Sequence, residues 1–194
     1  MNNRAAADKR QELDQYFTPR WATEVFLHYH APPEDALIGE PCAGDGHIVE
    51  TLLDHDYSIA YDDIDADLDY GKGGDFLRDA SAFRECDWII SNPPYYTDAG
   101  TAAQMYRQAV RTVDHVAMIM RLGWLEACKD RRDLLPQLSD VLILPRVEFE
   151  GATGSGNSSP SVWCVYHADQ KDDDTTITWA DPALCADLKK EYDQ

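Results

Sequence analysis

The chain has 194 residues, and its formal net charge is −19 because 36 acidic residues stand against 17 lysines and arginines. This length is typical of about one domain with a substantial core. There is no run of about 18 apolar residues that would cross a bilayer, and no apolar export signal follows Met1, so we expect a cytoplasmic protein without a membrane partner.

The first predicted element is a helix over residues 20–29, preceded by the segment Gln15-Tyr16-Phe17-Thr18-Pro19. Thr18 is a suitable N-cap and Pro19 a suitable first helical residue.

A predicted strand over 37–40 ends in Glu40 and leads into the loop Pro41-Cys42-Ala43-Gly44-Asp45-Gly46 and a helix over 46–54. Glycines let a ligand approach the backbone, and a helix N-terminus favours a carboxylate. A glycine-rich loop alone is a weak signal.

An acidic stretch follows the second predicted strand, at 58–62. Asp63 lies where α/β cofactor folds place the carboxylate that binds ribose hydroxyls. Further on, Gly74-Asp75-Phe76-Leu77 pairs an acid with an aromatic ring. We interpret Asp62, Asp67 and Asp69 as parts of a solvated loop.

The third predicted strand, 88–91, leads into Asn92-Pro93-Pro94-Tyr95. Two prolines make a stiff turn that offers carbonyls but few donors. Such a turn suits a planar NH2 group: the Asn92 side-chain oxygen and the Pro93 carbonyl would accept its two hydrogens. The ring of Tyr95, rather than its hydroxyl, would stack on the planar group.

The remaining pattern predicts helices over 102–112 and 125–137 and strands over 116–120, 141–144, 162–167 and 175–179. This alternation predicts an α/β fold with a mostly parallel sheet and helices on both faces. Ligands bind beyond the carboxyl ends of such strands, so Glu40, Asp63 and Asn92 should share one edge. The Gly- and Ser-rich segment 151–160 is expected to be a mobile loop. We expect flexible chain ends at residues 1–14 and 180–194.

These motifs, in this order, resemble those of adenine-specific (N6) DNA methyltransferases of the small phage type, which use S-adenosylmethionine. The matched segments also include Val116–Leu122 with 124–126, and 145–151 with 160–163, so the resemblance covers most of 16–166. It implies a Rossmann-like class I methyltransferase fold in a single domain over 1–194. Asn92 stands where cytosine-specific relatives carry serine, which favours adenine.

The resemblance also implies roles for the matched residues. The Thr18-Pro19 segment would fold over the methionine end of the cofactor, and Asp75 and Phe76 would meet the adenine amine and ring. The catalytic residues would be Asn92, Pro93, Pro94 and Tyr95. The cofactor-binding residues would be Phe17, Thr18, Pro19, Glu40, Cys42, Ala43, Gly44, Gly46, Asp63, Ile64, Asp75, Phe76 and Asn92.

The charge is distributed unevenly along the chain. Residues 34–87 carry a net charge of −13, whereas residues 101–146 carry +2. We therefore predict that DNA, with its target adenine flipped out, lies against Arg121, Arg131, Arg132 and Arg146.

With 26 Asp, 10 Glu and 6 Lys, the composition resembles that of halophilic proteins. In molar salt the Debye length is about 3 Å, which removes long-range repulsion from DNA. An ordinary soluble acidic protein is the alternative.

Three other functions stay open. The same tetrapeptide occurs in RNA adenine methyltransferases and in enzymes that methylate a glutamine side-chain amide, although the Phe17–Pro19 and Arg146 motifs favour DNA. The third function is that of a non-catalytic cofactor-binding subunit. It stays open because no segment is long enough for a separate target-recognition domain. Recognition would then come from a homo-oligomer or a partner, as in a restriction-modification system.

Cysteine and histidine usage points to no metal. The five cysteines are scattered, are odd in number and do not pair at metal-site spacing, so we expect reduced thiols. The six histidines form no cluster along the sequence. Only His47, beside the glycine loop, is expected near the chemistry, and then behind the residues that contact the ligand.

Overall fold

The computed structural model describes residues 16–95, 100–126, 132–149, 158–170 and 174–192. These residues form the α-helices α1 (Arg20–His30), α2 (His47–Asp54), α3 (Thr101–Thr112) and α4 (Pro182–Tyr192). They also form the strands β1 (Leu37–Glu40), β2 (Ser58–Tyr61), β3 (Trp88–Ser91), β4 (His115–Arg121), β5 (Asp140–Ile143), β6 (Val147–Glu148), β7 (Ser158–Ser159), β8 (Ser161–His167) and β9 (Thr176–Trp179). Within these ranges, no helix is long and apolar enough to span a bilayer.

Seven strands form one sheet in the order β2-β1-β3-β4-β8-β5-β9. Strand β8 is antiparallel to both of its neighbours, β4 and β5, and every other pair is parallel. Strands β6 and β7 form a separate two-stranded antiparallel sheet beside the end of β5. Each predicted strand begins and ends within one residue of an observed strand, and the mostly parallel α/β fold is confirmed.

The sheet separates two apolar layers because successive side chains of a strand point to opposite faces. Ile90, Ile119 and Trp163 pack on one face with α1, α2 and α4. Ile89, Met118 and Cys164 pack on the other face with α3 and with the short 3-10 helices Ser81–Phe83 and Leu122–Leu125. Helices therefore cover both faces, as predicted.

The chain order changes direction at β1, whose two neighbours in the sheet are β2 and β3. Such a switch point leaves a crevice beyond the carboxyl ends of the strands. Glu40 ends β1, Asp63 follows β2 and Asn92 follows β3, so the three residues lie at this edge as expected.

The predicted helix over 125–137 is wrong for the residues that the structure describes. It is replaced by the 3-10 helices Leu122–Leu125 and Leu135–Gln137, while 127–131 lie outside the described residues. Pro136 lacks the backbone N–H that a continuing helix needs. Burial of Trp124 and Leu134 holds this segment against α3.

Two expectations about chain ends and caps are also corrected. Helix α1 begins after Pro19, and Thr18 makes no capping hydrogen bond; its hydroxyl is buried without a partner. Residues 182–192, expected to be flexible, form α4. This helix is held because Cys185 is buried in the core and Lys189 Nζ lies 4.2 Å from the centre of the Trp21 ring on α1. The segments 1–14 and 151–157 lie outside the described residues.

Candidate active site

A cavity of about 280 Å³ opens at the carboxyl edge of the sheet. Most of the predicted cofactor-binding residues line it: Phe17, Cys42, Gly44, Asp63, Ile64, Asp75, Phe76 and Asn92, together with the predicted catalytic residue Pro94. Thr18 and Ala43 line a smaller cavity next to it, with His47. These residues come from four separate segments of the chain, which only the tertiary structure brings together.

Some lining residues were missed in the sequence. Thr101 and Met105 of α3 reach the cavity, as do Leu68 and Leu77. Thr101 and Met105 stand four residues apart in the helix after the predicted catalytic turn, a spacing that places them on one helix face. Leu68 was not predicted because it lies in the acidic loop, although it stands four residues after Ile64, which also lines the cavity.

The loop after β1 brings backbone close to the cavity. Gly44 and Gly46 have φ angles of +55° and +87°, in the left-handed region that favours glycine. A Cβ on Gly46 would lie 2.1 Å from Cε2 of Tyr70, so this position has no room for a side chain. Gly46 is also the residue before α2, and the helix N-terminus therefore faces the loop.

Glu40 is fully buried beneath this loop. Its Oε1 accepts hydrogen bonds from the Cys42 backbone N–H at 2.8 Å and from the Ser91 hydroxyl at 2.7 Å. Its Oε2 is buried without a hydrogen-bond partner. Burial raises the pKa of Glu40 to about 8, and the nearby charge of Asp63 acts in the same direction. The site therefore holds either a proton on this carboxyl or a donor that satisfies its free oxygen.

The Cys42 side chain is a thiol rather than a thiolate. Burial raises its pKa well above the ordinary value, and the charges of Glu40 and Asp63 raise it further. A protonated thiol is a weak nucleophile. Cys42 therefore contributes a small lining surface, and Cys42, Cys86, Cys164 and Cys185 are all free thiols.

Asp63 ties the glycine loop to the end of β2. Its Oδ2 accepts the Gly44 N–H at 3.0 Å and its Oδ1 accepts the Asp65 N–H at 2.9 Å. Burial raises the pKa of Asp63, and the charges of Asp65 and Asp62 add to this. A carboxylate has about four acceptor positions, so Asp63 can still accept hydrogen bonds from ligand hydroxyls at the cavity wall.

Asp62 has a structural role that the sequence analysis missed. Its Oδ1 accepts backbone N–H groups from Asp63 at 2.8 Å, Lys72 at 2.8 Å and Gly74 at 3.3 Å. The expectation of a solvated side chain is therefore wrong for Asp62, whereas Asp67 and Asp69 are exposed as expected. The Asp62 carboxylate holds both ends of the acidic loop in place.

Asp75 and Phe76 form the far wall of the cavity. Asp75 Oδ1 accepts the Leu77 N–H at 3.1 Å, and its Oδ2 lies 3.0 Å from Arg78 Nε. Phe76 is buried and packs edge-on against Phe83. The wall thus presents a carboxylate beside an aromatic ring that packing holds still.

The turn after β3 holds the Asn92 amide in one orientation. Its Nδ2 donates to the Tyr16 carbonyl at 2.6 Å, and its Oδ1 lies 2.7 Å from the Tyr95 hydroxyl. The same hydroxyl lies 2.5 Å from the Ile119 carbonyl, and the Arg121 guanidinium carbon lies 5.6 Å from the centre of the Tyr95 ring. The hydroxyl of Tyr95 therefore has contacts that the sequence analysis did not anticipate.

The predicted substrate-binding arginines occupy different places. Arg121, at the end of β4, lies beside Tyr95 of the predicted catalytic turn, and Arg146 is exposed beyond the end of β5 on the same edge of the sheet. Arg132 is exposed next to Asp133, which forms an ion pair with Arg107 of α3. Arg131 lies outside the described residues. Of these arginines, Arg121 is the one with a contact to the Asn92 turn in the described residues, through the ring of Tyr95.

The histidines do cluster in space, contrary to the sequence analysis. His47 lies 5.5 Å from Phe17, ring centre to ring centre, near the cavity. His30, His115 and His167 instead meet at the opposite edge of the sheet, together with Asp140. Their spacing along the chain gives no sign of this, because 52 residues separate His115 from His167.

No protein-family model matches the chain, and no curated protein matches it in sequence. Solved structures do resemble it. A methyltransferase subunit of a type I restriction-modification system from Streptococcus thermophilus superposes with a TM-score of 0.62 at 14% identity, over 93% of this chain and 53% of that subunit. A TehB-like methyltransferase from Corynebacterium glutamicum, which depends on S-adenosylmethionine, superposes with a TM-score of 0.52 at 17% identity. The superposition covers 75% of this chain and 86% of the TehB-like chain.

The 23S ribosomal RNA methyltransferase ErmE also superposes, with a TM-score of 0.56 at 12% identity, over 82% of this chain and 72% of its own. At these identities the similarity concerns the fold. The chain has the Rossmann-like fold of class I methyltransferases, as the sequence predicted. It spans about half the length of the type I restriction subunits that it resembles.

The buried carboxyl of Glu40 predicts a pH dependence of stability. Its folded-state pKa, about 8, lies above its ordinary value of 4.5, so the folded chain binds more protons than the unfolded chain between these pH values. The free energy of unfolding of the ligand-free protein should therefore fall as pH rises from about 5 to 8, by up to a few kcal/mol.

Urea denaturation across this pH range measures the effect. Glu40→Gln removes the titrating group, so its stability should change less with pH than that of the wild type. The comparison concerns slopes and not absolute stabilities, because Asp63 also titrates in both proteins. Parallel slopes would show that Glu40 is not protonated in the folded state.

Proposed function

We propose that this chain is a methyltransferase that transfers a methyl group from S-adenosylmethionine to the exocyclic amine of adenine in DNA. The observation that carries the proposal is a single cavity lined by Asp63, Asp75 and Asn92. These are the two carboxylates suited to a nucleoside and the amide suited to a target amine. A cavity at the switch point of an α/β sheet is the place where such ligands bind.

The residues around the cavity fit the chemical groups of this cofactor. Asp63 retains acceptor positions for the ribose hydroxyls, and Asp75 would accept from the adenine amine beside the Phe76 ring. The N-terminus of α2 favours the methionine carboxylate. The unpartnered Oε2 of buried Glu40 matches a cationic ammonium group, which would satisfy this oxygen and favour its ionised form.

When bound, the cofactor supplies an electrophilic methyl group. The chain has to align the target, because the lone pair of an adenine amine is delocalised into the ring. The Asn92 Oδ1 and the Pro93 carbonyl would accept the two amine hydrogens and turn the lone pair toward the cofactor. Asn92 is suited to this because its amide is already oriented by Tyr16 and Tyr95. Most of the rate acceleration then comes from alignment.

Tyr95 acts in this proposal through both its ring and its hydroxyl. The ring would stack on the flipped base, which can contribute about 1–3 kcal/mol. The hydroxyl orients the amide of Asn92 from within the turn. Arg121, over the ring of Tyr95, adds positive charge where the phosphates of a nucleic acid would pass.

DNA is favoured over the other substrates by the Phe17–Pro19 and Arg146 motifs and by the fold shared with restriction-modification subunits. The RNA alternative stays open because a ribosomal RNA methyltransferase shares the fold as well. The fold is shared with subunits of type I restriction-modification systems, and target recognition in this proposal is supplied by a second copy or by a partner protein.

A labelling experiment tests the substrate. The protein is incubated with S-adenosylmethionine carrying a tritiated methyl group and with DNA, RNA or a peptide that contains glutamine, in low and in molar salt. The products are then digested and identified. N6-methyladenine from DNA is expected. Methylated RNA or methylglutamine would reassign the substrate, and binding of the cofactor with no methylated product would favour a non-catalytic subunit.

Asp63 provides a test of the cofactor assignment. Asp63→Ala removes a carboxylate that accepts hydrogen bonds from the ligand, so S-adenosylmethionine should bind about 1–3 kcal/mol more weakly, or roughly 5- to 150-fold. Isothermal titration calorimetry measures this. Asp67→Ala is the matched control, since Asp67 is an exposed residue of the same loop. Equal affinities in the two variants would remove Asp63 from the site.

The catalytic turn should separate binding from chemistry. Asn92→Ala should change the affinity for S-adenosylmethionine by less than about 1 kcal/mol and abolish methyl transfer. Tyr95→Phe keeps the ring but loses the hydroxyl, whose one hydrogen is within reach of Asn92 Oδ1 and of the Ile119 carbonyl. Transfer should therefore slow about tenfold, the cost of roughly one hydrogen bond. Tyr95→Ala should be nearly inactive. Single-turnover methyl transfer measures all three, and wild-type rates in Tyr95→Phe would show that the hydroxyl is dispensable.

A further inference from the structure

Four residues with metal-binding side chains meet at the edge of the sheet opposite the cavity. His115 is the first residue of β4, Asp140 is the first residue of β5, and His167 is the last residue of β8. Since β8 runs antiparallel to β4 and β5, these three strand ends come together, with His115 paired to His167. His30 reaches the same place from the last turn of α1.

Three of these residues have the geometry of a ligand set. One ligand atom each of His30, Asp140 and His167 lies within 4.8 Å of the other two, and all three residues are half-buried. Around a tetrahedral ion with bonds of 2.0–2.1 Å, ligand atoms stand about 3.4 Å apart. A contraction of at most about 1.4 Å would therefore bring the three ligand atoms to the spacing of a tetrahedral site.

His30 supplies an independent reason to expect a ligand. Its Nε2 is buried and has no hydrogen-bond partner. A buried polar atom without a partner is costly, and such atoms are rare in folded proteins. An ion bound by this nitrogen would remove that cost.

We propose that His30, Asp140 and His167 bind a divalent transition-metal ion of the zinc type. Two imidazoles and a carboxylate are a ligand set that zinc accepts, with a fourth position left for water. Each histidine would ligate through a neutral ring nitrogen, so binding of the ion displaces any proton from that nitrogen. The charge of Asp169 near His167 adds attraction for a cation.

His115 would position His167 rather than bind the ion. Its Nδ1 lies 2.9 Å from Nδ1 of His167, so this hydrogen bond leaves Nε2 of His167 uncommitted. A metal on Nε2 requires the proton of His167 to be on Nδ1, from which it donates to His115. A residue that hydrogen-bonds to a metal ligand without binding the ion, as His115 would, fixes the orientation of that ligand. Trp88 stacks on His115 at 4.9 Å and stands edge-on to His167 at 5.2 Å, which restricts both rings.

The bound ion would stabilise the fold and take no part in methyl transfer. It would join the end of α1 to the ends of β5 and β8, at the edge remote from Asn92. The proposal does not depend on the proposed function, because metal uptake and thermal stability report on it directly.

The test uses the full chain, stripped with a chelator and titrated with Zn²⁺ in calorimetry, and with Co²⁺ followed by its visible absorption. One ion per chain is expected, with a rise in the melting temperature. His30→Ala and Asp140→Asn should abolish stoichiometric binding and the tetrahedral Co²⁺ spectrum. His115→Ala should weaken binding roughly 10–100-fold.

His28→Ala is the matched control, because His28 is an exposed histidine on the same helix two residues earlier. It should bind like the wild type. Circular dichroism checks that each variant folds, and Asp140→Asn keeps the size of the side chain if His30→Ala does not fold. The proposal is overturned if the wild type takes up no stoichiometric ion, or if Asp140→Asn and His28→Ala bind it equally well.

Discussion

A buried carboxyl at the switch point of the sheet connects the parts of the candidate active site. Oε1 of Glu40 receives hydrogen bonds from Ser91 at the end of β3 and from Cys42 in the glycine loop. One oxygen therefore joins β1, the glycine loop and the residue directly before the Asn92 turn. Because β1 and β3 are neighbouring parallel strands, paired at Gly39 and Ile89, the loop and Asn92 keep a constant separation. The cavity between them is shaped before any ligand arrives.

Part of the acidity of the chain has a structural explanation. Asp62 and Asp63 accept backbone N–H groups from the loop that follows β2, and so replace the secondary structure that this segment lacks. Asp63 also accepts the N–H of Gly44 in the glycine loop after β1. Hydrogen bonds of this kind favour the ionised form, against the burial that raises the pKa of Asp63. Asp67 and Asp69 make a different contribution, because they are exposed and act through net charge.

The two edges of the sheet are linked by the same two elements. Strand β3 begins with Trp88, which packs against His115 and His167, and ends just before Asn92. Helix α1 follows Tyr16, whose carbonyl holds the Asn92 amide, and ends at His30. An ion at the histidine cluster would therefore restrain the far ends of both elements that support the Asn92 turn. This gives a remote site a structural connection to the cavity without any shared ligand.

The sequence by itself determined the strands, the glycine loop, the acid after β2 and the Asn92 turn, because each depends on local pattern: alternating burial, glycine conformation and proline stiffness. It did not determine that short 3-10 helices replace the predicted helix 125–137, nor the absence of a Thr18 cap. It also did not determine the loop-holding role of Asp62 or the position of the Tyr95 hydroxyl beside Asn92 and Ile119. The sequence also gave no sign of the cluster that His30, His115, Asp140 and His167 form in space. Only the tertiary structure decided these features, because they depend on strand order and side-chain packing between residues that are distant in the chain.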